Sequence, residues 1–349
     1  MGKNRKKNKI GYQIVGQQQT HLKFVDSLLD SMQEGNEYGS IVSLAPRKDL
    51  NLLDEVAKGL NQIENIRKRP CLSYVGNVVR NDGESGIDST DDLPFAEMVQ
   101  KVPAEIKKVD LFLATRGGSA HQVSRFVNHL RSRFTEIDFI IPSFCMSAGT
   151  LFALSGDNIW MTERACLGPI DPQVPTKDGR FVPAQALLLL VDQLQKKGDD
   201  AKKNGTAIPW TAIRIIDTID KKELGDAITA SSYSTMMATQ FLKNYKFRNW
   251  HRTETRGELV TQKIREDRAM EIAAALASHD RWLNHGHAIS RDVLWEEIRL
   301  RIERPKNDFN QAIIRLWALF NWIFDKTPIF KTIISKEYKY CKHITLVRN

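Results

Sequence analysis

The chain of 349 residues is long enough for one sizeable domain with extensions or for two ordinary domains, which excludes a small disulfide-stapled protein. Hydrophobic residues make up 42% and charged residues 27% of the sequence, close to the values of soluble globular domains. This composition excludes a mainly disordered or fibrous chain.

Basic residues are concentrated at the N-terminus. Lysine and arginine outnumber aspartate and glutamate by 51 to 42, and five of the nine excess charges come from Lys3, Arg5, Lys6, Lys7 and Lys9. A basic tail attracts phosphates or anionic lipid headgroups through a field that is independent of sequence and weakened by salt. We therefore expect at most a weak anionic partner for this tail, and a solvated tail is the favoured interpretation.

The sequence contains four widely spaced cysteines, Cys71, Cys145, Cys166 and Cys341, with no CxxC pair and no metal-ligand spacing. They are typical of a reduced, intracellular protein. The first residues lack the apolar segment of a signal peptide, and no stretch reaches the roughly 18 uncharged apolar residues that a spanning helix needs. We expect a cytoplasmic protein without a transmembrane segment, at most peripheral to a membrane.

A basic tail and a helical preface occupy residues 1–70. Apolar residues at helical spacing predict helices within 21–32 and 50–69. The sequence changes character at Cys71, where the strand-like run CLSYVGNVV precedes a polar loop and a helix around Phe95 to Val102. The main domain is therefore expected over residues 71–304.

Short β-rich runs then alternate with helices. Strands are predicted at 109–115, 138–142 and 158–161, with helices from His121 to Phe134 and from Ala148 to Leu154 between them. This spacing is typical of βαβ units, so strands 109–115 and 138–142 should be adjacent in a parallel sheet. Ligands bind at the carboxyl ends of such strands, where the loops TRGGSA and SFCMSAGT lie.

The last third of the chain is predicted to be mostly helical. A helix from Pro183 to about Lys197 is followed by the polar insert KKGDDAKKNGTAIP and a helical stretch to Asp280. Residues 305–349 are predicted to form an aromatic-rich helical appendage. Because so much exposed aromatic surface is unusual in a soluble monomer, we expect this appendage to pack against the main domain or in an interface, and we expect a homo-oligomer.

Ser147 is the candidate nucleophile. It follows a strand and opens an apolar helix, where free backbone N–H groups favour developing negative charge. The small residues Ala148 and Gly149 leave room for a substrate carbonyl. The competing interpretation is an ordinary helix N-cap, and the hexapeptide alone favours the N-cap.

The loop with Gly117 and Gly118 strengthens the catalytic interpretation. Acyl transfer requires preorganised donors for the oxyanion, and adjacent glycines can turn a backbone N–H outward. Neighbouring parallel strands can bring the N–H groups of Gly118 and Ala148 to one carbonyl oxygen. A generic tight turn or a phosphate-binding loop is the alternative, since a lone Gly-Gly pair is weakly specific.

These residues carry a family resemblance. The runs DLFLATRGG, IIPSFCMSAGTLFAL, DNIWM and LGPIDPQV resemble the ClpP/crotonase superfamily, and most closely the serine dehydrogenase proteinase family, which is related to signal-peptide-peptidase-A-type serine proteases. The resemblance implies an α/β fold with a stacked ββα core and a parallel sheet. It also implies Ser147 as nucleophile and Gly118 and Ala148 as oxyanion donors. Family members commonly read TPGG where this chain has TRGG, and Arg116 either contacts an anionic group or points to solvent.

The resemblance does not supply a general base. Self-compartmentalised relatives use a His after the nucleophilic helix, where this chain reads GPIDPQV, and peptidase-A-like relatives use a Lys where it has Gln185. Two candidates remain: His285, in a segment that relatives also carry near the site, and Lys177, which would have to be buried to lose its proton. Asp171 can orient whichever base is present, but its place in GPIDP also suits a turn, and the turn is favoured.

The leading hypothesis is a serine peptidase or related serine hydrolase acting on a peptide or protein substrate. A catalytically silent scaffold or binding module is the rival, and a crotonase-type acyl-CoA enzyme is the third reading. The acyl-CoA enzyme would need a carboxylate as general base, and the sequence indicates no such residue. We expect no cofactor: a pyridoxal site would need a Schiff-base lysine and a phosphate loop, and the three histidines between residues 279 and 287 lack zinc spacing.

Overall fold

The computed structural model describes residues 28–44, 51–80, 85–177, 179–253 and 256–343. The basic tail lies outside these residues, as does most of the helix predicted within 21–32.

Within the described ranges the strands are short. They are β1 (Cys71–Gly76), β2 (Lys108–Ala114), β3 (Glu136–Ile141), β4 (Phe144–Cys145), β5 (Asn158–Met161), β6 (Cys166–Leu167), β7 (Gln173–Pro175), β8 (Phe181–Pro183), β9 (Ile289–Ser290), β10 (Ile329–Ile334) and β11 (Lys339–His343).

The α-helices of the same ranges surround these strands. They are α1 (Glu37–Leu44), α2 (Leu52–Arg67), α3 (Asp92–Gln100), α4 (Ala120–Arg131), α5 (Ala148–Leu154), α6 (Ala184–Asn204), α7 (Trp210–Thr218), α8 (Lys221–Phe241), α9 (Gln262–Ala277), α10 (His279–Trp282), α11 (Arg291–Glu296) and α12 (Asn307–Lys326).

The central sheet has the strand order β11-β10-β1-β2-β3-β5. Strands β1, β2, β3 and β5 are parallel, and the predicted adjacency of β2 and β3 is confirmed, with Leu111 opposite Phe139. Helices α4 and α5 connect these strands, so the class is α/β with a parallel-rich sheet, as expected.

Alternating residues of β2 enter two different cores. Leu111 and Leu113 pack in the larger core with helices α3, α4, α5, α8 and α9, whereas Phe112 and Ala114 pack with α2 and α12 on the other face. A parallel sheet covered on both faces is buried throughout, which explains why β2 reads as a nearly continuous apolar run.

The C-terminal segment corrects the prediction of a wholly helical appendage. Of the predicted appendage the structure describes residues 305–343, which are helical only to Lys326, after which β10 and β11 form a hairpin and β10 pairs antiparallel to β1. The run IFKTII is rich in β-branched residues, and it covers the edge of β1 that would otherwise be open.

Helix α12 confirms that the aromatic stripe packs against the main domain. Phe320 is fully buried and stacks on Phe112 at a centroid distance of 5.7 Å, and Phe309 meets Trp160 edge-on at 5.4 Å. Because the main domain covers these rings, the stripe no longer argues for an oligomer, and the homo-oligomer stays a prediction.

Helix α6 corrects the predicted polar insert. The helix does not end near Lys197 but continues to Asn204, where Gly205 in a left-handed conformation ends it. No helix in the described parts of the chain is both long enough and apolar enough to cross a bilayer.

A buried lysine joins β10 to the loop before α3. Lys331 is fully buried, and its Nζ donates to Gly86 O at 2.6 Å and to carboxylate oxygens of Asp88 and Asp91 at 2.8 Å each. Tyr74 OH donates to the same Asp91 oxygen at 2.7 Å. A buried charge is tolerated only with partners of this kind, so the network fixes the loop that contains Ile87.

We predict that Lys331→Met lowers the free energy of unfolding by about 3–5 kcal/mol, because it removes the fully buried one of the two ammonium groups that neutralise the buried Asp91 carboxylate, the other being Lys342 at 2.6 Å. The measurement is urea unfolding of the full chain. Lys339→Met, which removes an exposed ion pair with Asp54 from the neighbouring strand, is the control and should cost less than about 1 kcal/mol. Equal losses in the two variants would contradict the prediction.

Candidate active site

Ser147 has a strained backbone. Its φ of 52° and ψ of −117° lie outside the regions that residues with a Cβ ordinarily adopt, and its side chain makes no capping hydrogen bond to α5. Ser147 therefore occupies the N-cap position of α5 without capping the helix through its side chain. Such strain costs about 1–3 kcal/mol and is found where a strand-to-helix turn presents a functional side chain.

The Gly117–Gly118 loop lies directly against Ser147. Both glycines have positive φ, at 110° and 133°, and a Cβ built on Gly117 would lie 2.7 Å from Ser147 Cβ and 3.3 Å from Ala148 N. Only glycine permits this approach. The predicted meeting of the two loops at one edge of the sheet is thus confirmed.

The loop is held from its far side by Ile87. Ile87 N–H donates to Gly117 O at 2.7 Å, and Ser119 N–H donates to Ile87 O at 2.8 Å. Since Lys331 fixes the segment from Gly86 to Asp91, the glycine loop has a rigid support. Sequence analysis missed this lysine, because nothing local marks an interior β-strand lysine as buried.

Two backbone donors are available beside Ser147. In the described part of the chain, the N–H groups of Gly118 and Ala148 have no hydrogen-bond acceptor. The next residue, Gly149, is closely packed, because a Cβ at its position would lie 2.5 Å from Thr115 Cγ2. The Gly118 and Ala148 amides therefore remain the candidates for the predicted oxyanion donors.

Asp171 and His285 form a pair, although they are 114 residues apart. His285 Nδ1 lies 2.8 Å from Asp171 Oδ1, and the carboxylate is 1% exposed. His279 Nδ1 lies 3.9 Å from the other carboxylate oxygen. The favoured interpretation of Asp171 as a turn residue is wrong: its side chain is buried and orients an imidazole.

A three-stranded sheet, in the order β4-β6-β9, brings the candidate residues to one edge. Ser147 lies two residues after β4 and Asp171 four residues after β6, which is parallel to β4. His285 precedes β9, which is antiparallel to β6, and therefore lies at the same end. Among the described residues no hydrogen bond involves the Ser147 hydroxyl, and its separation from His285 exceeds hydrogen-bond distance.

Lys177 does not meet the conditions for a general base. Its side chain is 77% exposed and forms an ion pair with Asp220, and the hydrogen bond that it donates to this carboxylate raises the Lys177 pKa above its ordinary value. Gln185, which occupies the position of the lysine in peptidase-A-like relatives, donates to Ser231 Oγ at 2.6 Å. The structure therefore favours His285 over Lys177.

Other residues near the loops have local partners. Arg116 is exposed and donates to Val78 O at 2.8 Å, and His287 packs against the ring of Trp282 at 5.1 Å. Cys145 is buried two residues before Ser147, and burial raises its thiol pKa well above the ordinary value, so this thiol is not a competing nucleophile.

Comparison with known sequences identifies relatives of the central part of the chain. Two uncharacterized proteins of Methanocaldococcus jannaschii are similar to it. One is 37% identical over 102 residues, covering 29% of this chain and 33% of the relative. The other is 27% identical over 146 residues, covering 42% and 47%. The chain thus spans about a third and about half of the length of these curated relatives.

Solved structures with a similar arrangement include a membrane-bound stomatin-specific protease in complex with a substrate peptide. It is 11% identical, with a TM-score of 0.39, and the match covers 79% of this chain and 87% of that chain. An enoyl-CoA hydratase from Mycobacterium avium subsp. paratuberculosis is 14% identical, with a TM-score of 0.25 over 52% and 84% of the two chains. TM-scores this low support no argument about activity.

The family comparison covers the segment that contains Ser147, both glycines and Asp171. Residues 87–217 match the model of the ClpP-like SDH-type serine proteinases. This match agrees with the resemblance carried by the TRGG, SAGT and LGPIDPQV motifs. Residues 87–217, rather more than a third of this chain, are therefore similar to the ClpP-like SDH-type serine proteinase family.

Proposed function

We propose that the protein is a serine peptidase or related serine hydrolase that cleaves peptide or protein substrates through an acyl-enzyme on Ser147. The observation that carries the proposal is the strained Ser147, which lies against the glycine loop with the unused amides of Gly118 and Ala148 beside it. The Asp171–His285 pair at the same edge of the small sheet supports it, since it supplies the base that the family motifs leave out.

In the proposed mechanism, Ser147 Oγ attacks the substrate carbonyl and forms the C–O bond of a tetrahedral intermediate. His285 Nε2 accepts the hydroxyl proton, while Nδ1–H donates to Asp171, which fixes the tautomer and stabilises the imidazolium. The N–H groups of Gly118 and Ala148 donate to the oxyanion. His285 then protonates the leaving amine as the C–N bond breaks, and a water molecule hydrolyses the ester by the reverse sequence.

In this proposal the proton passes from Ser147 to His285 at one end of the small sheet. Ser147 follows β4 and His285 precedes β9, and these two strands flank β6, which sets them roughly 10 Å apart. Catalytic hydrogen bonds are often long in the free enzyme and shorten when substrate binds. Gly117 allows its loop to approach Ser147 closely, and Gly149 allows close packing against Thr115 and Cys145.

A catalytically silent scaffold is the second candidate. The missing hydrogen bond between Ser147 and His285 in the described structure favours it, because a serine without a base is no more nucleophilic than an ordinary alcohol. The two candidates differ in the reactivity of Ser147, which can be measured without knowledge of the natural substrate.

We predict that a fluorophosphonate probe labels the full-length protein at Ser147 and that Ser147→Ala abolishes labelling without loss of the fold. Labelling is measured by intact mass and folding by circular dichroism. Ser119→Ala is the matched control: Ser119 lies in the neighbouring loop but caps α4, accepting from Gln122 N–H at 3.2 Å, and its loss should leave labelling intact. An unlabelled wild type would favour the silent scaffold.

We predict that His285→Ala slows labelling, or cleavage of any ester or peptide that the wild type accepts, by about 10²–10⁴-fold, the usual contribution of a general base. His287→Ala is the control, since it removes a nearby imidazole that packs on Trp282 and does not contact Asp171. Lys177→Ala should change the rate less than a few-fold. If all three variants keep the wild-type rate while Ser147→Ala is inactive, the base assignment fails.

A further inference from the structure

A cavity opens at the end of the central sheet opposite to Ser147. It has a volume of about 1030 Å³, and it lies where β3 and β5 begin, next to Glu136 and Asn158. Ser147, by contrast, lies just beyond the carboxyl ends of β3 and β4. The cavity is thus separate from the proposed active site, and it is large enough for a small organic molecule.

Lys246 lies in this cavity at the end of a π-helical turn formed by residues Leu242–Lys246. Such turns are rare in proteins, and those that occur often lie at functional sites. Lys246 Nζ donates a long hydrogen bond to the carbonyl oxygen of Asp157 at 3.4 Å, and Lys246 forms no ion pair with a residue of the described ranges. Burial lowers the Lys246 pKa to about 8.

Three of the four carboxylates that line the cavity have other partners. Glu136 pairs with Arg69 and Lys108 at 2.8 Å each, and Asp157 pairs with Arg131 at 2.9 Å. Glu271 likewise pairs with Arg268, which also lines the cavity. The fourth, Glu296, is exposed. None of the four forms an ion pair with the half-buried ammonium of Lys246, which therefore has no counter-ion in contact with it among the described residues.

Aromatic rings form the rest of the lining. Phe247 is buried, Trp250 is half-buried, and Trp295 is 41% exposed although it is large and apolar. Tryptophan rings exposed in a cavity provide flat apolar surface for a planar group. A positive charge and flat walls together define the chemistry of a matching ligand.

We propose that this cavity is a binding site for a small aromatic carboxylate, with the Lys246 ammonium donating to the carboxylate and the ring lying against Trp250 and Trp295. The ligand supplies the counter-ion that Lys246 lacks. The site is independent of the serine chemistry, so Ser147→Ala should leave binding unchanged.

The test is calorimetric titration of the full-length protein with 2-naphthoate and, in parallel, with uncharged 2-naphthalenemethanol. We expect 2-naphthoate to bind, and the neutral alcohol to bind about 10- to 100-fold more weakly, the ratio that a charged hydrogen bond provides. This comparison uses the wild-type protein and does not depend on the folding of a variant.

Lys246→Met should weaken 2-naphthoate binding by a similar factor while leaving the weak binding of the alcohol unchanged. Lys243→Met is the matched control, because Lys243 lies in the same turn but pairs with Glu266 outside the cavity. The proposal is overturned if 2-naphthoate does not bind at millimolar concentration, if acid and alcohol bind equally, or if the two lysine variants behave alike.

Discussion

One buried charge, the ammonium of Lys331, links the C-terminal hairpin to the loop before α3. The Lys331 ammonium is fully buried in β10, and the backbone and carboxylate oxygens that satisfy it all lie in the segment from Gly86 to Asp91. That segment is in turn bonded to Gly117 and Ser119 through Ile87. Since a buried lysine without partners would cost several kcal/mol, the C-terminal hairpin, the Ile87 loop and the glycine loop hold one another in a single arrangement.

The candidate site lies between a large rigid sheet and a small one. The parallel strands of the central sheet place the glycine loop, and the strands β4, β6 and β9 place Ser147, Asp171 and His285 at one edge. Two-residue strands have little stability of their own. They are positioned because Cys145, Leu167 and Ile289 are buried in the same core as α5. Side chains held on packed strands keep their geometry better than side chains on free loops.

Local patterns allowed much of the fold to be predicted from the sequence. The bounds of α5 and β5 and the adjacency of β2 and β3 follow from apolar periodicity and short connections, which are properties of neighbouring residues. The β10–β11 hairpin could not be predicted in the same way, because an apolar run of six residues fits a helix or a strand, and only pairing with a strand some 260 residues earlier decides between them. The position of Ser147 between a strand and a helix could also be predicted from neighbouring residues. The pairing of Asp171 with His285 could not, because it depends on the antiparallel addition of β9 to β6.

The pairing of β1 with β10 also has a consequence for the order in which the protein becomes complete during synthesis. Ser73 and Ile334 are neighbours in the sheet but lie far apart in the sequence. Ser73 is therefore synthesised long before Ile334. Contacts of such long sequence separation form late, because the entropy of closing the intervening loop must first be overcome. A nascent chain that already contains Ser147, Asp171 and His285 therefore still lacks the strand that braces the glycine loop. The interval between the translation of His285 and that of β10 thus separates the synthesis of these side chains from their final arrangement.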